Sequence, residues 1–124
     1  MKKIIVAATQ MSCSWDVDEN IACAEKLVRQ AAAGGANIVL LQELFATPYF
    51  CIDQDEKHFD LAKPFQNNPL INRFSALAKE LSVVLPISYF ERSNNAFFNS
   101  LVVIDADGAV LENYRKSHIP NGPG

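Results

Sequence analysis

About a third of the way along the chain stands the stretch Ile38-Val39-Leu40-Leu41-Gln42-Glu43-Leu44-Phe45, in which four apolar residues precede Gln42 and the carboxylate of Glu43. A short and continuous apolar run is typical of a β-strand that is covered on both faces. A nearly continuous apolar run also occupies residues 4–11, and we therefore expect it to form a buried first strand. Glu43 falls just where the strand that contains residues 38–41 ends.

A helical pattern connects these two strands. It opens at Asp16, with Glu19 three residues further on, as in a capping box. Apolar residues then recur at helical spacing as far as Gly34-Gly35, a pair that is typical of a helix end. Strand, helix and strand in this order predict a parallel βαβ unit. Catalytic groups in such folds lie beyond the carboxyl ends of the strands, which is the position of Glu43.

The second half of the chain predicts a loop region, a helix and three strands. The loop covers residues 46–68 and includes a short helix from Asp55 to Leu61. Asn68-Pro69 then begins a helix that runs to Leu81, because proline is favoured at the first helical position. The three strands are joined by turns and cover residues 83–90, 97–104 and 109–115. This order of elements predicts a mixed sheet with helices on one face.

Composition limits the classes of function. The 124 residues, 49% of them apolar, suit one domain or part of a larger one. A net charge of −3 without a basic tract argues against a nucleic-acid partner. No apolar stretch reaches transmembrane length, and the amino-terminal run is too short for a signal peptide. The three cysteines have no metal-binding spacing, so we expect free thiols in a reducing cytoplasm.

A polar residue also follows the last predicted strand. Lys116 opens the segment that runs to Gly124. A carboxylate and an ammonium at strand ends can meet in one pocket, where each perturbs the proton affinity of the other. Taken singly, Glu43 and Lys116 have an ordinary interpretation as solvated surface charges. Their flanking segments favour a functional pair.

Those flanks resemble a known family, the nitrilase superfamily of carbon–nitrogen hydrolases. Its glutamate segment resembles Leu41-Gln42-Glu43-Leu44-Phe45 with Pro48-Tyr49-Phe50 behind it. Its lysine segment resembles Tyr114-Arg115-Lys116-Ser117-His118-Ile119-Pro120. The likeness extends to residues 6–11 and to the hairpin between Asn99-Ser100 and Asp107-Gly108, and therefore covers almost the whole chain.

This resemblance implies a fold and a reaction. The fold is α/β, part of a four-layer α-β-β-α sandwich with a mixed sheet, and residues 1–124 are the amino-terminal portion of a single carbon–nitrogen hydrolase domain. The family cleaves a non-peptide C–N bond with a cysteine nucleophile that follows the lysine segment, so we expect that cysteine beyond residue 124. Glu43 is then the general base and Lys116 the stabiliser of the oxyanion. The resemblance further implies a cytoplasmic homo-oligomer that needs no metal or cofactor.

The substrate is implied by finer likenesses. Residues 48–51 and 117–124 are most similar to the members that convert N-carbamoylputrescine into putrescine, carbon dioxide and ammonia, although Asn121 stands where those members have an aspartate. Tyr49, Phe50 and His118 are candidate substrate-binding residues. Packing of the loop explains the two aromatic residues equally well. His118 is also a candidate to position the lysine or the loop by hydrogen bonding, and a plain structural role is its alternative.

Several alternatives stay open. Other family substrates are ureidopropionate, ω-amides and N-carbamoyl amino acids. The chain is alternatively a truncated or non-catalytic domain with a binding role. Cys51 is the only candidate nucleophile within the chain, whereas Cys23 is predicted to pack and His58 to be exposed. A phosphate-binding module is disfavoured, because Gly34-Gly35 ends a helix instead of opening one.

Overall fold

The computed structural model describes residues 2–121, so residue 1 and the end of the predicted loop, residues 122–124, lie outside the described residues. The chain is α/β, as predicted. Two 3₁₀ turns lie in the long loop, at Phe50–Ile52 and Glu56–Leu61. In chain order, the helices and strands are β1 (Val6–Ala8), α1 (Val17–Ala33), β2 (Ile38–Leu40), α2 (Pro69–Leu81), β3 (Leu85–Ser93), β4 (Ala96–Ile104) and β5 (Val110–Arg115).

The strands form two sheets, β1-β2 and β3-β4-β5, which one parallel bridge between Ile38 and Val84 joins into a mixed arrangement. β1 and β2 are parallel, which confirms the βαβ unit, and β3, β4 and β5 are antiparallel neighbours. The two parts join at Val84, whose carbonyl accepts a hydrogen bond from the N–H of Val39 at 3.0 Å. The N–H of Val84 in turn donates to the carbonyl of Asn37 at 2.9 Å. The join places β2 parallel to Val84, the residue that directly precedes β3.

Both helices begin where the sequence predicts. The Asp16 carboxylate accepts the N–H of Glu19 at 3.0 Å, while the Glu19 carboxylate accepts from Ser14 Oγ instead of closing the capping box. The Asn68 side chain accepts the N–H of Leu70 at 3.0 Å and is followed by Pro69 at the first helical position. Each cap satisfies a backbone donor that the first turn of a helix leaves without a partner.

The core lies between the two helices and one face of the sheet. Phe45 and Phe74 meet edge to face with ring centroids 5.4 Å apart and are both fully buried. Aliphatic side chains from α1 and from the central strands complete the core, namely Val28, Val39, Leu85, Ile87, Val102 and Ile104. Burial of such side chains from water is the main favourable term in folding.

The first strand differs from its prediction. Only residues 6–8 of the predicted range 4–11 form a strand, and Ile4, Ile5 and Val6 are 52%, 40% and 69% exposed. β1 is an edge strand, and none of the described residues covers its outer face. An apolar run indicates that a surface is suited to burial, but it does not identify the element that covers it.

Two single-residue predictions were also wrong. Cys23 is exposed on the outer side of α1. His58 is buried, stacks on Trp15 with ring centroids 5.2 Å apart, and lies 3.2 Å from an Asp53 oxygen. Its neighbours in sequence are charged, but aromatic residues from distant segments enclose it.

We expect Gly108→Ala to destabilise the protein. Gly108 has a φ of +87° in the turn between β4 and β5, and an added Cβ would lie 2.9 Å from the carbonyl oxygen of Ser75. Positive φ and this contact together should lower the free energy of unfolding by about 2 kcal/mol. Urea denaturation measures the loss. Gly34→Ala is the matched control, because Gly34 has a φ of −79° and its added Cβ would meet only ordinary contacts; equal losses in both variants would contradict the argument.

Candidate active site

Glu43 lies at a sharp turn of the backbone after β2. The next residue, Leu44, is buried and has a φ of +52°, a left-handed conformation that is uncommon for leucine. Its N–H donates to the hydroxyl of Ser88 at 2.9 Å. The side chain of Gln42 bonds both the N–H and the carbonyl of Met11, each at 3.0 Å. These contacts fix the backbone on both sides of Glu43, and strained conformations of this kind concentrate at functional sites.

Lys116 reaches Glu43 from the end of β5. Its N–H donates to the carbonyl of Asn99 at 2.9 Å and so extends the pairing of β4 with β5. Its Nζ lies 3.1 Å from Glu43 Oε1. The amide Nδ2 of Asn99 donates to the same oxygen at 2.6 Å. The structure thus brings together the two polar residues that the sequence singles out, while their catalytic roles stay predictions.

The pair lies in an open groove on the sheet face that is opposite the helices. The Glu43 and Lys116 side chains are 44% and 38% exposed. The hydrogen bond and the negative charge of Glu43 raise the pKa of Lys116, which therefore stays an ammonium at neutral pH. The groove has a volume of about 430 Å³ and is lined by Leu40, Leu41, Glu43, Ser88, Asn99, Ser100, Leu101, Tyr114 and Lys116.

Two residues of the following loop lie close enough to Glu43 and Lys116 for the charges of this pair to affect their pKa values. Burial raises the pKa of the Tyr49 phenol, and the negative charge of Glu43 raises it further. Burial also raises the pKa of the Cys51 thiol, which outweighs the opposite effect of its hydrogen bond with Tyr49. A nucleophilic cysteine needs the reverse, a lowered pKa or a base that takes its proton. The surroundings of Cys51 therefore keep it a protonated thiol.

The other two candidate substrate-binding residues lie differently. Phe50 is buried, packs on Phe90 with ring centroids 4.9 Å apart, and lines a neighbouring cavity instead of the groove of Glu43. The packing of Phe50 is thus observed, and its role in substrate binding stays a prediction. His118 is exposed, and within residues 2–121 its side chain does not form the predicted hydrogen bond with Lys116.

A buried carboxylate that the sequence analysis did not single out lies behind the site. Glu91 of β3 is 2% exposed. Its oxygens accept hydrogen bonds from Arg115 at 2.7 and 3.1 Å, from Ser100 at 2.6 Å and from Asn113 at 3.0 Å. Burial alone would raise its pKa, but these donors lower it to about 2. Glu91 therefore stays ionised and ties all three antiparallel strands together.

This network fixes the end of β5. Arg115 and Lys116 are consecutive, so their side chains point to opposite faces of the sheet. The Arg115 guanidinium is bound by Glu91 and lies 4.0 Å above the centroid of the Phe98 ring. A strand that is held on one face by Arg115 presents Lys116 on the other face, toward Glu43.

Two further observations concern cofactors and membranes. Among residues 2–121, no three His, Cys, Asp or Glu side chains are grouped so that they would hold a metal ion. In the same part of the chain, no helix combines the length and apolar character that a bilayer crossing requires.

Comparisons with known proteins identify the family and support the fold. The sequence pattern of the family described as carbon–nitrogen hydrolase matches residues 5–124. The chain is 54% identical to the N-carbamoylputrescine amidase of Arabidopsis thaliana over 123 residues, which are 99% of this chain and 41% of that enzyme. It is 45% identical to the citrullinase of Francisella tularensis over 124 residues, all of this chain and 43% of that enzyme.

A solved structure supports the same family and fold. The crystal structure of a carbon–nitrogen hydrolase from Helicobacter pylori G27 superposes with a TM-score of 0.86 at 34% identity, over 98% of this chain and 44% of that chain. The chain thus spans about two fifths of the length of the curated relatives it matches. The resemblance drawn from the glutamate and lysine segments is confirmed, and the chain belongs to the carbon–nitrogen hydrolase family of the nitrilase superfamily.

Proposed function

We propose that residues 1–124 are the amino-terminal portion of a carbon–nitrogen hydrolase domain that works by a Cys-Glu-Lys thioester mechanism. The observation that carries this proposal is the contact of 3.1 Å between Lys116 Nζ and Glu43 Oε1 at the mouth of an open groove. The nucleophilic cysteine belongs to the part of the enzyme beyond residue 124. The cytoplasmic location and the homo-oligomeric state are proposals on the same basis, the family resemblance.

The proposed reaction assigns one task to each residue. Glu43 takes the proton of the cysteine thiol, and the thiolate attacks the carbonyl carbon of the substrate. Negative charge then grows on the carbonyl oxygen, and the Lys116 ammonium stabilises it. The C–N bond breaks, ammonia leaves with the transferred proton, and a thioester forms. Glu43 next takes a proton from water, and the resulting hydroxide hydrolyses the thioester and restores the thiol.

We propose N-carbamoylputrescine as the substrate, in agreement with the name of the Arabidopsis thaliana relative. Attack on its terminal ureido group releases ammonia and leaves a thiocarbamate on the cysteine, which is the ureido counterpart of the thioester. Hydrolysis of the thiocarbamate gives a carbamate that decomposes to putrescine and carbon dioxide. Citrulline also carries a terminal ureido group, and the citrullinase relative makes it the second candidate. The shared chemistry of the two is a ureido group at the end of an aliphatic amine chain.

The test is release of ammonia by the complete enzyme. N-carbamoylputrescine, citrulline, ureidopropionate and an ω-amide are compared at equal concentrations. We expect the highest kcat/KM for N-carbamoylputrescine. A preference for an ω-amide would refute the proposed substrate but support the proposed reaction. Release of no ammonia from any of the four compounds would refute the proposed function and favour a binding role.

A cysteine variant tests where the nucleophile lies. Because its surroundings keep Cys51 protonated, we expect Cys51→Ala to retain most of the turnover. Alkylation of the complete wild-type enzyme should reveal one reactive thiol, defined as the cysteine that reacts fast and is protected by substrate. That thiol should remain in Cys51→Ala. Its disappearance, together with the turnover, would identify Cys51 as the nucleophile. Cys23→Ala is the matched control, because Cys23 is exposed and remote from the groove.

A further inference from the structure

We propose that Asn99 is a positioning residue for the Glu43 carboxylate, holding one of its oxygens so that the other faces the reacting proton. The inference rests on the proposed function, because it assigns Asn99 a task in proton transfer by Glu43.

The geometry separates the two carboxylate oxygens. Asn99 Nδ2 at 2.6 Å and Lys116 Nζ at 3.1 Å both donate to Oε1. Among the described residues, no hydrogen bond reaches Oε2. A carboxylate that is held at one oxygen keeps the lone pairs of the other for a thiol or a water molecule.

Asn99 forms hydrogen bonds with Glu43 and with Lys116 at the same time. Its side chain bonds Glu43, and its carbonyl accepts the N–H of Lys116 at 2.9 Å. It lies in β4, the middle strand of the antiparallel part, between Phe90 of β3 and the end of β5. A residue whose backbone is hydrogen-bonded to strands on both sides has little conformational freedom. The amide of Asn99 therefore holds a fixed position from which it can orient the half-exposed side chain of Glu43.

The amide holds Glu43 without adding a charge to the groove. The other charged or titratable groups near Glu43 are Lys116 at the end of β5 and Tyr49 and Cys51 in the loop. Because Asn99 is a neutral donor, the ammonium of Lys116 remains the cation for the developing oxyanion.

Asn99→Ala in the complete enzyme is the first test. We expect kcat to fall about ten- to a hundredfold because the carboxylate is no longer aligned. We also expect KM to stay close to the wild-type value and alkylation of the reactive thiol to slow, because Glu43 is the group that takes the thiol proton. A residue with only a structural role would lower the melting temperature without separating kcat from KM.

Asn99→Asp is an independent test of the positioning role, because it leaves the volume of the side chain nearly unchanged. It removes the donor and places a second carboxylate beside Glu43. Like-charge repulsion should then displace the Glu43 carboxylate and lower kcat at least as much as Asn99→Ala does. Asn95→Ala and Asn95→Asp make the same chemical changes at the exposed turn between β3 and β4 and should leave kcat unchanged.

The outcomes separate the two proposals. A wild-type enzyme that releases no ammonia would refute the proposed function. Turnover in the wild type with an unchanged kcat in both Asn99 variants would refute the positioning role alone. If Asn99→Ala fails to fold, Asn99→Asp decides by the same comparison with Asn95→Asp.

Discussion

Glu43→Gln should lower kcat of the complete enzyme by about a thousandfold or more, since loss of a general base typically costs two to four orders of magnitude. Glutamine keeps the shape of the side chain, and its oxygen can still accept from Asn99 and Lys116. The variant loses only the capacity to take a proton. Lys116 stays charged, because without Glu43 its pKa returns only to the ordinary value of a lysine, 10.5.

Three measurements on Glu43→Gln separate chemistry from folding. Turnover should collapse while the melting temperature stays close to that of the wild type, because the Glu43–Lys116 pair is half exposed and contributes little to stability. Alkylation of the reactive thiol should also slow, because no base removes its proton. Glu56→Gln, the same change at an exposed glutamate of the loop, should alter none of the three. Normal turnover in Glu43→Gln would remove Glu43 from the mechanism.

Much of the fold could be predicted from the sequence, because its signals are local. Asp16 and Asn68 cap helices by accepting N–H groups two or three residues away, and Gly108 supplies a positive φ within its own turn. The apolar run before Glu43 identifies a strand regardless of what surrounds it. These interactions involve near neighbours in the chain, so a pattern of residue types is sufficient to recognise them.

The network around the site could not be predicted in this way, because it depends on strand register. Pairing of β4 with β5 shifts by one residue between Val102 and Ile104, where β5 carries a bulge. A shift of one residue moves every following side chain to the opposite face. The bulge therefore decides that Arg115 meets Glu91 and that Lys116 meets Glu43. Nothing in the residue types of β5 marks its position.

Burial of single residues escaped prediction for a related reason. His58 is surrounded in sequence by charged residues, yet Trp15 and Phe50 enclose its ring. Ile5 belongs to an apolar run, yet none of the described residues covers it fully. Periodicity states which face of an element is suited to burial, whereas contacts between distant segments decide whether that face is covered.

Glu91→Gln should lower the free energy of unfolding by about 2–3 kcal/mol at neutral pH. The carboxylate is buried and accepts four hydrogen bonds, two of them from Arg115. Glutamine turns one of its oxygens into a donor that faces other donors. Urea denaturation of the complete protein measures the loss. Glu112→Gln, at an exposed position of β5, is the matched control and should change the stability little.

The pH dependence distinguishes the charge of Glu91 from simple packing. Its pKa falls from an ordinary value of 4.5 to about 2 in the folded protein. The folded state therefore binds fewer protons than the unfolded state, and this stabilisation is complete above pH 4.5 and is lost as the pH falls toward 2. Glu91→Gln should show a shallower loss of stability across that interval than the wild type. Parallel curves would show that the carboxylate acts only by its shape.

The same variant tests whether the network acts on catalysis. Glu91 does not line the groove of Glu43, so it can affect turnover only through the end of β5. When Arg115 loses its partner, Lys116 should lose its fixed position on the opposite face, and kcat should fall more than KM changes. A stabilising osmolyte such as TMAO should restore the stability of the variant but not its kcat, because the osmolyte favours the compact state without replacing the ion pair between Glu91 and Arg115. Full recovery of kcat under those conditions would mean that Glu91 supports only the fold.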